Sequence, residues 1–381
     1  MEESFRETLL RSRLGVFLLT PTAAKNVFNG RANDYVCRLT IDPGTWQFTA
    51  VLTMESPVRG QAETAFTGCS YSFDGVIRAA ADWLNTLATD DMLNDTEPDV
   101  RFLATEHGPV AYWAYNEDLK KTPVLFIHGG PGGESNPVRM RTLMLDRPVY
   151  CYDQANCGHS APVADLAHWT VEDYVEELRE VVVGLHLDRV VMCGASWGAG
   201  LIGAYLKKYG AAGIVALVLP SPFLNSQVWT DDQEVNFAKM PAAFQKGIAA
   251  CRQAGDTGPR YHALMREYYK RFLFADPVNW PIADAAEDTY GDVFNVLWGP
   301  DENVCTGVLT GFDVEGVLPE LKMPALFMCG DSDEVTLSTM QRYRDLLPGA
   351  RLAVIPGAGH ATAKDRPELY AAVLTEFLGR L

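Results

Sequence analysis

The chain has 381 residues, 48% hydrophobic and 21% charged, a balance that lets it bury one large core or two smaller ones. Its formal net charge of −17 repels phosphates and argues against a nucleic-acid partner; it mildly favours cationic ligands, although solubility alone accounts for it. No apolar run is long enough to cross a bilayer, and the eight cysteines are scattered without a C-x-x-C pair or a Cys/His ligand spacing, so membrane, disulfide and metal roles are not expected.

At the N-terminus, Arg11 and Arg13 precede the run Leu14 to Leu19, which is too short for a signal core. Glu2, Glu3 and Glu7 contradict a basic leader, so the segment reads as an amphipathic helix with Phe5, Leu9, Phe17 and Leu18 on its apolar face, and the protein as cytoplasmic. Strands are predicted at Tyr35–Ile41 and Trp46–Met54, joined by the turn Asp42-Pro43-Gly44, with a third from Thr64 to Tyr71. Ser72 then caps a helix carrying Phe73, Val76, Ile77, Ala80, Trp83, Leu84 and Leu87 at helical spacing. Residues 1 to about 95 thus form a small α+β domain of their own, ending in the acidic linker Asp90 to Asp99.

From Val100 the pattern changes. Val100–Thr105 and Val110–Tyr115 read as a hairpin joined by His107-Gly108-Pro109, followed by strands at Val124–Ile127 and Val149–Tyr152. The helix Thr170–Leu185, strand Val190–Cys193, helix Ala199–Tyr209 and strand Ile214–Leu219 come next. Cys151, Cys193 and Cys329 fall in or beside these apolar runs, where a reduced cysteine acts as a small core residue. Alternation of short apolar strands with helices predicts a parallel sheet covered on both faces. It breaks from residue 221 to 320, an aromatic-rich stretch of helical periodicity, and resumes with strands Ala325–Cys329 and Arg351–Ile355 and the helix Pro367–Leu378. The fold class is therefore α/β, an α/β-hydrolase fold split into 96–220 and 321–381 by a helical cap at 221–320.

Gly194-Ala195-Ser196-Trp197-Gly198 sits between a predicted strand and a predicted helix, the setting that makes a G-x-S-x-G stretch a nucleophile elbow. A serine needs a base, and the base an orienting acid, in the chain order Ser, acid, His. Of the two later histidines, His262 lies in the cap, whereas His360 follows the last strand, at the sheet edge where catalytic groups gather. The acid is sought in Gly330-Asp331-Ser332-Asp333-Glu334. Asp333 is preferred; Asp331 is better placed to bond backbone amides of the turn, and Glu334 is a third option. For the oxyanion, Trp197 supplies one N–H and the loop His128-Gly129-Gly130-Pro131-Gly132-Gly133 the other, with Gly130 favoured and Gly129 close behind. His128 is expected to hold that loop in shape rather than to move protons.

These stretches resemble the proline iminopeptidase family of serine peptidases, particularly aminopeptidases associated with tricorn protease, over roughly residues 100–381. The matching motifs are HGGPG at 128–132, GxSWG at 194–198, a DQxGxGxS-like stretch at 153–160, GPxE at 299–302 and GxxDEVT at 330–336. The resemblance implies that Glu302 and Glu334 bind the free α-ammonium group of a small peptide or aminoacyl amide, without metal or organic cofactor. Two neighbouring carboxylates repel each other when empty and gain charge-assisted hydrogen bonds from an ammonium. The cap aromatics Phe223, Trp229, Phe237, Tyr268, Tyr269, Phe272, Trp280 and Trp298 divide between an apolar first-residue pocket and cap core, in proportions the sequence does not give. Two departures, Asn156 where the family has a glycine and Asn303 where it commonly has phenylalanine, bear on proline selectivity more than on serine chemistry. Rival expectations are an esterase, amidase or acyltransferase for a small metabolite, and a non-catalytic ligand-binding protein. Self-association stays open.

Overall fold

A computed structural model of the chain describes residues 20–21, 27–32, 35–43, 48–55 and 62–70, then 100–381 apart from 138–142, 144, 281–290 and 302. It divides into two compact units, one of 1–99, 137–145 and 367–380, the other of 100–136, 146–366 and 381. In the first unit, β1 (Thr20–Pro21), β2 (Val27–Ala32), β3 (Tyr35–Pro43), β4 (Phe48–Glu55) and β5 (Ala62–Ser70) pair antiparallel in sequential order. β2 escaped the sequence reading because Asn29 and Gly30, both poor strand formers, interrupt its apolar pattern. Asp42 and Pro43, expected in a turn, are instead the last rungs of β3, opposite Thr49 and Phe48. The two helices and the linker expected before residue 100 lie outside the described residues.

The second unit carries a mixed eight-stranded sheet. Its strands are β6 (Arg101–Thr105), β7 (Gly108–Tyr115), β8 (Val124–Ile127), β9 (Val149–Tyr152), β10 (Val190–Gly194), β11 (Ile214–Pro220), β12 (Ala325–Gly330) and β13 (Arg351–Ile355). They run in the order β13-β12-β11-β10-β8-β9-β7-β6, parallel as far as β9, with the β6–β7 hairpin closing that edge antiparallel. The hairpin turn is Glu106-His107, because Gly108 and Pro109 are already paired with Thr105 and Ala104. β8, β10 and β12 are buried along their whole length, which is why they read as unbroken apolar runs rather than alternating ones. Cys151, Cys193 and Cys329 are buried within this core and form no disulfide among the described residues.

The helices are α1 (Val171–Gly184), α2 (Trp197–Tyr209), α3 (Ser226–Ala238), α4 (Ala242–Ala254), α5 (Pro259–Phe272), α6 (Asp292–Leu297), α7 (Leu337–Leu346), α8 (Thr362–Asp365) and α9 (Pro367–Leu378). Thr170 and Asp173 form a reciprocal capping box that starts α1. α3 to α6 occupy the interval between β11 and β12. Phe237, Phe244, Ile248, Tyr261, Met265, Tyr268 and Phe272 of α3, α4 and α5 build a cluster separate from the sheet core. Among the described residues, no helix is long and apolar enough to cross a membrane.

Candidate active site

β10 ends at Gly194 and α2 begins at Trp197, two residues earlier than the apolar pattern suggested, so Ser196 sits on the intervening turn. Its φ of +52° is the strained backbone expected of an elbow that lifts a hydroxyl above the sheet. The flanking glycines are needed for space. A Cβ on Gly194 would come within 2.5 Å of Gly198 O, and one on Gly198 within 2.3 Å of Ile127 O.

His360 follows β13 and Asp333 follows β12, adjacent parallel strands whose C-terminal ends bring the two residues together. His360 Nδ1 donates to Asp333 Oδ1 at 2.8 Å. Asp333 is fully engaged: Val335 N donates to Oδ1, and Gly330 N and Ser221 Oγ donate to Oδ2. Asp331 instead accepts from the Gly357 amide at 3.0 Å. Burial disfavours the charged imidazole, but Asp333, by charge and hydrogen bond, and Glu334, by charge, together hold the His360 pKa above its usual value. Ser196 and His360 line the same cavity. Among the described residues no hydrogen bond joins the serine hydroxyl to the ring, a contact that in such centres tightens on substrate binding.

Glu334 is 3% exposed, its Oε2 lies 3.8 Å from His360 Nδ1, and it too faces the cavity. Burial and the neighbouring Asp333 push its pKa up, His360 pulls it down, and it settles at about 7. Glu302 lies outside the described residues.

One face of α3 reaches this acid loop. Trp229, Asp232, Gln233 and Asn236 recur at i, i+3, i+4 and i+7, which places them on one side of the helix. The Trp229 ring meets His360 edge-on at 5.3 Å. Asp232 accepts from Thr336 N, Thr336 Oγ1 and Thr339 Oγ1. Asn236 Nδ2 donates to the carbonyls of Asp333 and Glu334, and Gln233 Nε2 to that of Glu334. Sequence reasoning missed this stripe, because polar residues at helical spacing read as a solvated face. Ser221 was missed as well, being a small residue in a turn.

On the other side of the cavity, Trp197 N heads α2, where a first-turn amide has no intrahelical acceptor. Gly130 has φ of +121°, and a Cβ there would come within 2.5 Å of Gly133 N. His128 Nε2 accepts from Gln154 N at 3.0 Å, so Nδ1 is the nitrogen that donates to Gly129 O at 2.9 Å. Burial holds this ring neutral by lowering its pKa. Gln154 also donates to His128 O at 2.8 Å and accepts from Trp197 Nε1 at 3.0 Å, tying the glycine loop to the elbow. Asn156, in place of a glycine, adopts φ of +60°, a conformation asparagine tolerates better than most side chains. Asn303 is 1% exposed and donates to Tyr261 Oη at 3.1 Å in the cap. His262 meets Tyr261 edge-on, away from the cavity lining.

The cavity has a volume of about 300 Å³, enough for a small side chain and its backbone. Phe223, Trp229 and Trp298 line it, joined by Phe274, Phe294 and Leu309. Phe237, Tyr268, Tyr269 and Phe272 belong to the cap core, and Trp280 is 39% exposed. Among the described residues, no group of three His, Cys, Asp or Glu is arranged to hold a metal ion.

The profile of the α/β hydrolase fold matches residues 122–367. The proline iminopeptidase of Heyndrickxia coagulans is 33% identical over 285 residues, covering 74% of this chain and 98% of that protein. The crystal structure of the Mycobacterium smegmatis proline iminopeptidase superposes with a TM-score of 0.66 at 26% identity, over 74% of this chain and 98% of its own. The crystal structure of VinJ gives a TM-score of 0.68 at 27% identity, over 75% of this chain and 100% of its own.

Proposed function

Because the chain belongs to the proline iminopeptidase family of α/β-hydrolase-fold enzymes, we propose that it is a serine hydrolase removing an N-terminal proline or small apolar residue from peptides or aminoacyl amides. The observation that carries this reading is Glu334, a buried carboxyl facing the cavity beside His360 in addition to the acid that orients the ring. A simple esterase needs no such second acid; a substrate ammonium gives it a counter-charge.

In the proposed reaction His360 Nε2 takes the proton of Ser196 as Oγ attacks the carbonyl of the first residue. The amides of Gly130 and Trp197 stabilise the oxyanion, with Gly129 shaping their loop. The tetrahedral intermediate collapses as His360 protonates the leaving amine. Water, deprotonated by the same ring, then attacks the acyl-enzyme and releases the amino acid. Glu334, with Glu302 as its proposed partner, holds the α-ammonium group.

The test is release of 4-nitroaniline from proline and alanine 4-nitroanilides, with N-acetylated controls. Ser196→Ala is expected to lose at least about a thousandfold in kcat, and full activity in that variant overturns the mechanism. A second reading, an amidase, esterase or acyltransferase for a small metabolite, is motivated by the additional five-stranded sheet before residue 100. Indifference to N-acetylation would favour it.

A further inference from the structure

Glu177, in the middle of α1, is wholly shielded from solvent, and the proposed reaction does not use it. Its Oε2 accepts from Ala155 N at 2.9 Å, while Oε1 has no hydrogen-bond partner among the described residues. A carboxyl buried on these terms costs stability that an apolar side chain of similar size does not. Its one bond leads to the site. Ala155 follows Gln154, and Gln154 joins His128, at the head of the glycine loop, to the indole of Trp197. These two residues adjoin or supply the proposed oxyanion donors.

We propose that Glu177 is a positioning residue of the active site: through the Ala155 amide it fixes Gln154, and through Gln154 the spacing of the Gly130 and Trp197 amides. The proposal rests on the reading of Ser196 as nucleophile. The ionisable groups facing Glu177 are Tyr152 on β9, Cys157 in the loop after it, and Tyr174 and Glu180 on α1. Burial pushes Tyr152, Cys157 and Tyr174 far up, so they stay protonated across the working range. For Glu177 burial raises the pKa, the Ala155 amide opposes, Glu180 adds to the rise, and the result is about 8. At neutral pH the residue is a neutral acid. Above pH 8 an uncompensated charge forms behind Gln154, and the turn must shift to solvate it.

The experiment uses the full-length protein and the variants Glu177→Gln and Glu177→Leu. It combines alanine 4-nitroanilide kinetics from about pH 6 to 10 with amide hydrogen exchange over residues 128–133. Glu177→Gln, which mimics the neutral acid, is expected to keep kcat within about threefold at pH 7 and to lack the fall in kcat expected of the wild type above about pH 8. Glu177→Leu is expected to lose about 10- to 100-fold in kcat with KM changed less than about threefold, and to exchange faster at 128–133. An alkaline limb that survives unchanged in Glu177→Gln overturns the proposal, even should Glu177→Leu not fold. So does a folded Glu177→Leu with wild-type kcat or wild-type exchange. A wild type that turns over no substrate and resists fluorophosphonate labelling at Ser196 defeats the reading of the site instead, and the exchange rates alone then decide the positioning claim.

Discussion

At the residue scale, Glu334 and His360 share one electrostatic problem. Each favours the charged form of the other across 3.8 Å: the Glu334 carboxyl stands at about 7, and the His360 ring is held above its usual value. A base must be unprotonated and an ammonium-binding carboxyl ionised, so kcat/KM is expected to rise with pH through about 7. Glu334→Gln removes the negative neighbour that helps hold the His360 pKa up, so the acidic limb should move to lower pH. The same variant should raise KM at least about tenfold for free-amine substrates while leaving N-acetylated ones little changed. A pH–rate profile with matched substrates checks both, and an acidic limb that stays in place would count against the coupling.

At the scale of elements, the junctions that carry the chemistry are short and follow local rules. The elbow was legible because two glycines, a serine and the flanking apolar runs all fall between Val190 and Tyr209. The start of α1 was legible from Thr170, and Thr170→Ala should cost about 1 kcal/mol in denaturant unfolding through loss of the Asp173 capping box. The role of α3 was not legible, since the partners of Asn236 and Gln233 lie about a hundred residues later and only tertiary structure pairs them. Turn positions were misjudged at Pro43 and Pro109 because a proline at a strand end needs no ladder N–H and passes for a loop residue. Asn236→Ala takes the side-chain donor from the Asp333 carbonyl and leaves the Glu334 carbonyl with Gln233 alone. It should cost about 1–3 kcal/mol of stability and lower kcat more than it raises KM, measured by unfolding and by initial rates.

On the scale of the whole molecule, buried acids make stability depend on pH in an unusual direction. Glu334 and Glu177 have folded pKa values of about 7 and about 8, above the 4.5 of an exposed glutamate. Such groups contribute stability that is fully present below about pH 4.5 and is lost as the pH climbs through the folded values. Unfolding midpoints of the wild type should therefore decline between about pH 5 and 8. Glu177→Gln should flatten that decline, its advantage growing by a few kcal/mol over the interval. The global architecture was legible from alternating apolar runs; the β1–β2 edge of the first unit was not, since glycine and asparagine mask its pattern. The polar stripe of α3 also constrains how such an enzyme can change. The segment between β11 and β12 lines the cavity and also donates the hydrogen bonds that steady the acid loop. Grafting a foreign insert between β11 and β12 would replace the aromatic lining of the cavity and unmoor the Asp333–Glu334 loop in one step, unless the graft brought its own amide side chains to the same two carbonyls.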